Sequence, residues 1–102
     1  MGGQRKMKLS IMAMNEQGRQ AILKHMLERA KLSKFSPQKV MYNKFFEETI
    51  ISEKPFTLQV RVKNKTLAKD IRYKDFKMRI EEALLKNDAC PEDYMITNLE
   101  DN

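Results

Sequence analysis

The residues of this chain that could carry chemistry are few and scattered: one histidine, His25, one cysteine, Cys90, and glycines only at positions 2, 3 and 18. A Cys–His nucleophile requires the two side chains to meet in space. Cys90 stands in the acidic stretch Asp88–Asp93, a setting that disfavours a nucleophilic thiolate. His25 falls on the outer face of the helix expected around it. A structural zinc site takes four Cys or His ligands, and the chain offers two. Phosphate-cradling loops need glycines for close backbone approach, and neither G-x-G-x-x-G nor G-x-x-x-x-G-K-[ST] can be written here. Neighbouring carboxylates occur at Glu47-Glu48, Glu81-Glu82 and Glu92-Asp93, but adjacent residues on a strand or helix point apart. The residue types therefore lean away from catalysis and toward binding, with no catalytic residue, metal or cofactor expected.

The cations are better placed. Net charge is +6, and residues 1–80 carry 19 Lys/Arg against 7 Asp/Glu, whereas residues 81–102 carry one Lys against 7 acids. A basic body with an acidic end suits a polyanion partner, with Glu92, Asp93, Glu100 and Asp101 expected to lie against the body and compete with it. Lys8, Arg61, Lys63, Lys65 and Lys69 fall along strand edges and turns with Asp70 as the first nearby acid, and they are the expected phosphate-contacting set for RNA or DNA. The outward positions Thr57, Gln59 and Arg61 offer no aromatic ring for base stacking, so contact by shape or backbone is expected. Arg72, Asp75, Arg79, Glu82 and Lys86 alternate in sign at spacings of three and four, which reads as a surface ladder of ion pairs.

A rival surface is apolar. Met78 and Leu85, seven residues apart, lie opposite the core stripe of their helix, and Met12 and Met14 lie on the outer side of the first strand. This pattern suits a protein partner or a homodimer.

These side chains must be positioned by a small set of elements. Met7–Met14 alternates as a strand with Leu9, Ile11 and Ala13 on one side. Asn15 is the expected N-cap of a helix over 16–32, with Ile22, Leu23, Met26, Leu27 and Ala30 as its buried stripe and Gly18 as a weak point in its first turn. Ser33–Pro37 connects, and 38–46 is compatible with either a short helix or a bulged strand. Glu48–Ser52 and Phe56–Lys63 form a hairpin around Glu53-Lys54-Pro55. A helix is expected over Ile71–Asn87 with Tyr73, Phe76, Ile80, Ala83 and Leu84 inward, and Tyr94–Leu99 is the last strand. The order β-α-β-β-α-β predicts an α+β, ferredoxin-like plait, two helices on one face of a four-stranded antiparallel sheet with the first and third strands central.

At 102 residues the chain reads as one domain, residues 1–6 being a flexible tail or an expression scar. A lone cysteine excludes an internal disulfide, and no apolar run is long enough to span a membrane or serve as a signal core. A cytoplasmic protein without membrane contact is expected.

Overall fold

The structure, a computed structural model, describes residues 7–31 and 46–100. Its elements are β1 (Lys8–Ala13), α1 (Glu16–Lys31), β2 (Phe46–Glu53), β3 (Phe56–Val62), α2 (Lys65–Asp70), α3 (Tyr73–Lys86), a 3-10 turn at Pro91–Asp93 and β4 (Tyr94–Asn98). The fold is α+β: an antiparallel four-stranded open sheet in the order β2-β3-β1-β4, with three helices among the described residues. β1 is hydrogen-bonded on both edges, Leu9 opposite Val60 on one side and Asn98 on the other.

The period-two alternation of β1 and β3 builds one core. Leu9, Ile11 and Ala13 join Phe56, Leu58, Val60 and Val62 in a buried cluster with Ala21 and Ile22 of α1, Ala68 of α2, and Phe76, Ile80 and Leu84 of α3. Phe46, the first residue of β2, stacks on Phe76 with ring centroids 5.6 Å apart. The opposite face of β1 and β3 carries Lys8, Ser10, Met12, Thr57, Gln59 and Arg61, polar except for Met12, as strand alternation predicts.

Several expectations change. β2 is longer than 48–52, and its register slips at Ile51 between Ile50 and Ser52, a bulge that turns the end of the strand. The segments 1–6, 32–45 and 101–102 lie outside the described residues, so the connection Ser33–Pro37 and nearly all of the ambiguous 38–46 stretch lie there too. On α1, Leu27 is 58% exposed and leaves the buried stripe, while Ala21, absent from the expected stripe, is fully buried. His25 is half-buried, where an outer position was expected. The expected 71–87 helix begins at Tyr73, and α2 occupies part of what reads as a connection. Asn64 makes α2 possible: its Oδ1 accepts from the Leu67 N–H at 2.9 Å and stands in for a missing helical acceptor. Ile71 and Arg72 are extended, which separates the two helices.

The helix ends are tied to each other. Asn15 caps α1 as expected, its Oδ1 accepting from Gly18 N–H at 2.9 Å. Gly18 is more than a weak point, because a Cβ there would overlap the carbonyl oxygen of Asp93. The same oxygen accepts from Met14 N–H at 2.9 Å, so the 3-10 turn rests directly on the start of α1. α3 ends in a Schellman motif, with Ala89 N–H donating to Leu84 O and Asp88 N–H to Leu85 O, both at 3.0 Å. Its left-handed position, normally glycine, is Asp88 at φ 67°. Gln17 Nε2 donates to Asp88 O at 2.8 Å and completes the link.

These two backbone sites respond oppositely to substitution. Gly18→Ala is expected to destabilise the fold by about 2 kcal/mol or more, since neither backbone can yield without losing hydrogen bonds. Asp88→Gly is expected to stabilise it by about 0.5–1 kcal/mol by relieving the left-handed conformation. Urea denaturation of both variants measures each sign.

Candidate functional site

The topology sorts charge toward the two ends of the sheet. At one end Lys8 opens β1 opposite Arg61 near the close of β3. Lys63 follows β3 and is exposed; Lys65 begins α2 three residues past Val62, and Lys69 lies in its last turn. The expected cationic set is thus gathered from β1, β3 and α2. The pairing of Arg61 is defined by the sheet. Arg61 faces Glu47 of β2, and its Nε and Nη2 both donate to Glu47 Oε1, at 3.0 and 2.9 Å. That guanidinium is matched by a carboxylate across the strand pair, so it adds no net charge to the face. The sequence carried the clue in the Glu47-Glu48 step, but only the register of β2 selects Glu47.

The acidic residues divide. Asp93 and Glu92 stand at the far end of the sheet, where Tyr94 opens β4 opposite Ala13. Glu100 follows β4 at the lysine end, where Leu99 N–H donates to Lys8 O at 2.9 Å. Asp101 lies outside the described residues. Glu92 and Asp93 therefore stand away from Lys8, at the opposite end of β1. Asp93 instead accepts from Asn15 Nδ2 at 2.9 Å and from Cys90 N–H at 2.8 Å. These hydrogen bonds hold its carboxyl below the ordinary carboxylate range, Asn15 contributing most and the Cys90 amide next.

The far end also holds a groove of about 280 Å³, lined by Met78, Glu81, Glu82, Leu85, Ala89, Pro91 and Tyr94. Met78 and Leu85 are 48% and 64% exposed, as their position opposite Phe76, Ile80 and Leu84 predicts. Sequence reasoning missed the facing wall of Ala89, Pro91 and Tyr94, which exists only because the chain doubles back after α3. Burial pushes the Tyr94 and Tyr73 phenols upward, and the nearby Glu81 carboxylate adds to the push on both.

The remaining candidates stay apart from any site. Cys90 is exposed and serves the capping box of the 3-10 turn. His25 sits on α1 with its Nε2 shielded from water. The α3 ladder shows its first rung, Arg72 Nε to Asp75 Oδ2 at 3.2 Å. Met12 lies opposite Met95 on the open sheet face, with Met95 43% and Met14 53% exposed. Among the described residues no group of three or more His, Cys, Asp or Glu could hold a metal ion, and no helix is long and apolar enough to cross a membrane. Comparison with protein-family models, curated proteins and solved structures gave no match.

The Asp93 carboxylate carries a pH dependence of defined sign. Its folded value lies below the ordinary 3.8, so its contribution is present above that value and is lost as pH falls through the lower folded one. Asp93→Ala is therefore expected to lower Tm at pH 7, with the gap to wild type narrowing below about pH 4, the ordinary carboxylate range. A thermal melt series from pH 7 to 2 reads this directly.

Proposed function

We propose that this chain is a non-catalytic binding domain of the ferredoxin-like plait type, whose lysine-bearing end contacts the phosphate backbone of nucleic acid, RNA in the first instance. The strand order β2-β3-β1-β4 and the β-α-β-β-α-β succession of long elements support the plait, with α2 as a short addition before the second long helix. One observation carries the functional reading: Lys8 opens β1 opposite Arg61 near the close of β3, and the chain running on from β3 brings Lys63 in the turn and Lys65 and Lys69 in α2. Ammonium groups in that arrangement neutralise successive phosphates and release counterions, a sequence-independent attraction. The open face beside them presents Gln59, Thr49 and Thr97, with no ring to stack on a base among the described residues of the face, so recognition rests on backbone and shape. Arg61, half exposed and paired with Glu47, completes the set. The lone exposed thiol of Cys90 suits a reducing, cytoplasmic setting.

The groove at the far end favours a second reading, a protein-interaction or self-associating adaptor domain, because exposed Met78 and Leu85 there have a facing wall and form a concave surface.

For the first reading, Lys63→Glu with Lys65→Glu is expected to weaken binding of a short mixed-sequence RNA about tenfold or more. The slope of log K against log salt should become shallower by roughly one per lysine removed. Fluorescence anisotropy across salt concentration measures both, and unchanged affinity and slope would overturn the assignment.

A further inference from the structure

We infer that the groove between α3 and the connection into β4 docks a peptide segment of a partner protein, one apolar anchor side chain flanked by Lys or Arg. The inference rests on the second reading above and specifies the partner's chemistry.

Shape sets the size of the occupant. At about 280 Å³ the groove falls just under the range of small-molecule sites, and it accommodates one or two apolar side chains of a segment lying across the surface. Met78 and Leu85 form one wall, and Ala89, Pro91 and Tyr94 the other. Both walls are held in advance of binding. The Schellman motif fixes Asp88 and Ala89, and the Cys90–Asp93 capping box and the Asn15 bond fix the turn that carries Pro91. A preorganised surface loses little conformational entropy when a ligand arrives.

Charge sets the identity of the occupant. Among the described residues the lining includes Glu81 and Glu82 and no Lys or Arg, and Asp88 and Glu92 are exposed on the adjoining connection. Lys74, Arg79 and Lys86 of α3 are exposed outside the lining. An acidic rim repels phosphate, so the partner of the lysine end is unsuited here. Symmetric pairing of two copies through this groove would set Glu81 and Glu82 against their own counterparts, which selects against an isologous dimer. A segment with an apolar anchor and cations on either side satisfies both the walls and the rim.

The test is selection of a random dodecapeptide phage library on the full chain, with Leu85→Ser as the counter-target. Leu85 is largely exposed, so this variant keeps the fold, and a far-UV spectrum confirms it. Enriched sequences are expected to carry Leu, Met or Phe with Lys or Arg close by. A synthetic peptide of that sequence should shift the labelled methyl of Met78 and leave Met12 and Met95 unmoved. Glu81→Gln with Glu82→Gln should weaken that peptide about tenfold, and raised salt should weaken it in wild type. Enriched peptides lacking cations, or indifferent to the Glu→Gln pair, would overturn the inference while sparing the groove as a docking site. Absence of enrichment over Leu85→Ser would remove the groove's docking role altogether. A concentration-dependent dimer in sedimentation, dispersed by Leu85→Ser, would make a second copy the occupant and overturn the inference.

Discussion

The backbone oxygen of Asp93 fixes how the two halves of this chain meet. It occupies the space a side chain at residue 18 would need, and it accepts from the Met14 amide. The carboxylate of the same residue bonds Asn15 and the Cys90 amide. One short turn therefore sets the entry angle of α1, the exit path of α3 and the start of β4. Each bond here involves a group that would otherwise be an unsatisfied helix-end donor or a loop amide, which is why a few residues hold so much of the architecture. The groove beside α3 depends on this contact, since its second wall is the segment that Asp93 pins.

The separation of charge follows from the same topology. β1 and β3 run antiparallel, so the start of one lies beside the end of the other, and Lys8 meets Arg61. α3 then carries the chain back along the sheet and delivers Glu81, Glu82 and the acidic connection to the opposite end. A six-residue strand spans roughly 20 Å, about two Debye lengths at physiological salt, so each end acts on its surroundings almost independently. Lys8, Lys63 and Lys65 thus stand at one end of β1, and Glu92 and Asp93 at the other.

Legibility from sequence tracked the range of the interactions involved. Alternation exposed the core faces of β1 and β3, because Leu9, Ile11, Leu58 and Val60 have a period that only a half-buried strand explains. The α3 stripe was equally plain in Phe76, Ile80 and Leu84, and the outward Met78 and Leu85 followed from it. Local letters also announced Asn15 as a cap. They could not show why Gly18 is glycine, since the reason lies in the carbonyl of a residue near the other end of the chain. Nor could they pair Arg61 with Glu47, because that partner is chosen by strand register and by the bulge at Ile51. The Asp88 cap was hidden for a different reason: a left-handed helix terminus is read from glycine, and this chain has no glycine beyond residue 18. α2 was missed because six residues are too few to display a helical period.

The double pairing of β1 also constrains how the polypeptide leaves the ribosome. β1 emerges before both of its neighbours, β3 and β4, so its last edge is satisfied only by residues 94–98. Residues Asn15 and Asp93, which bond directly, are separated by 78 positions. At ordinary elongation rates that interval is on the order of 4–16 s, during which the apolar strand has no complete seat. Closure of the sheet is therefore a vectorial event timed by β4, the strand that completes the second edge of β1.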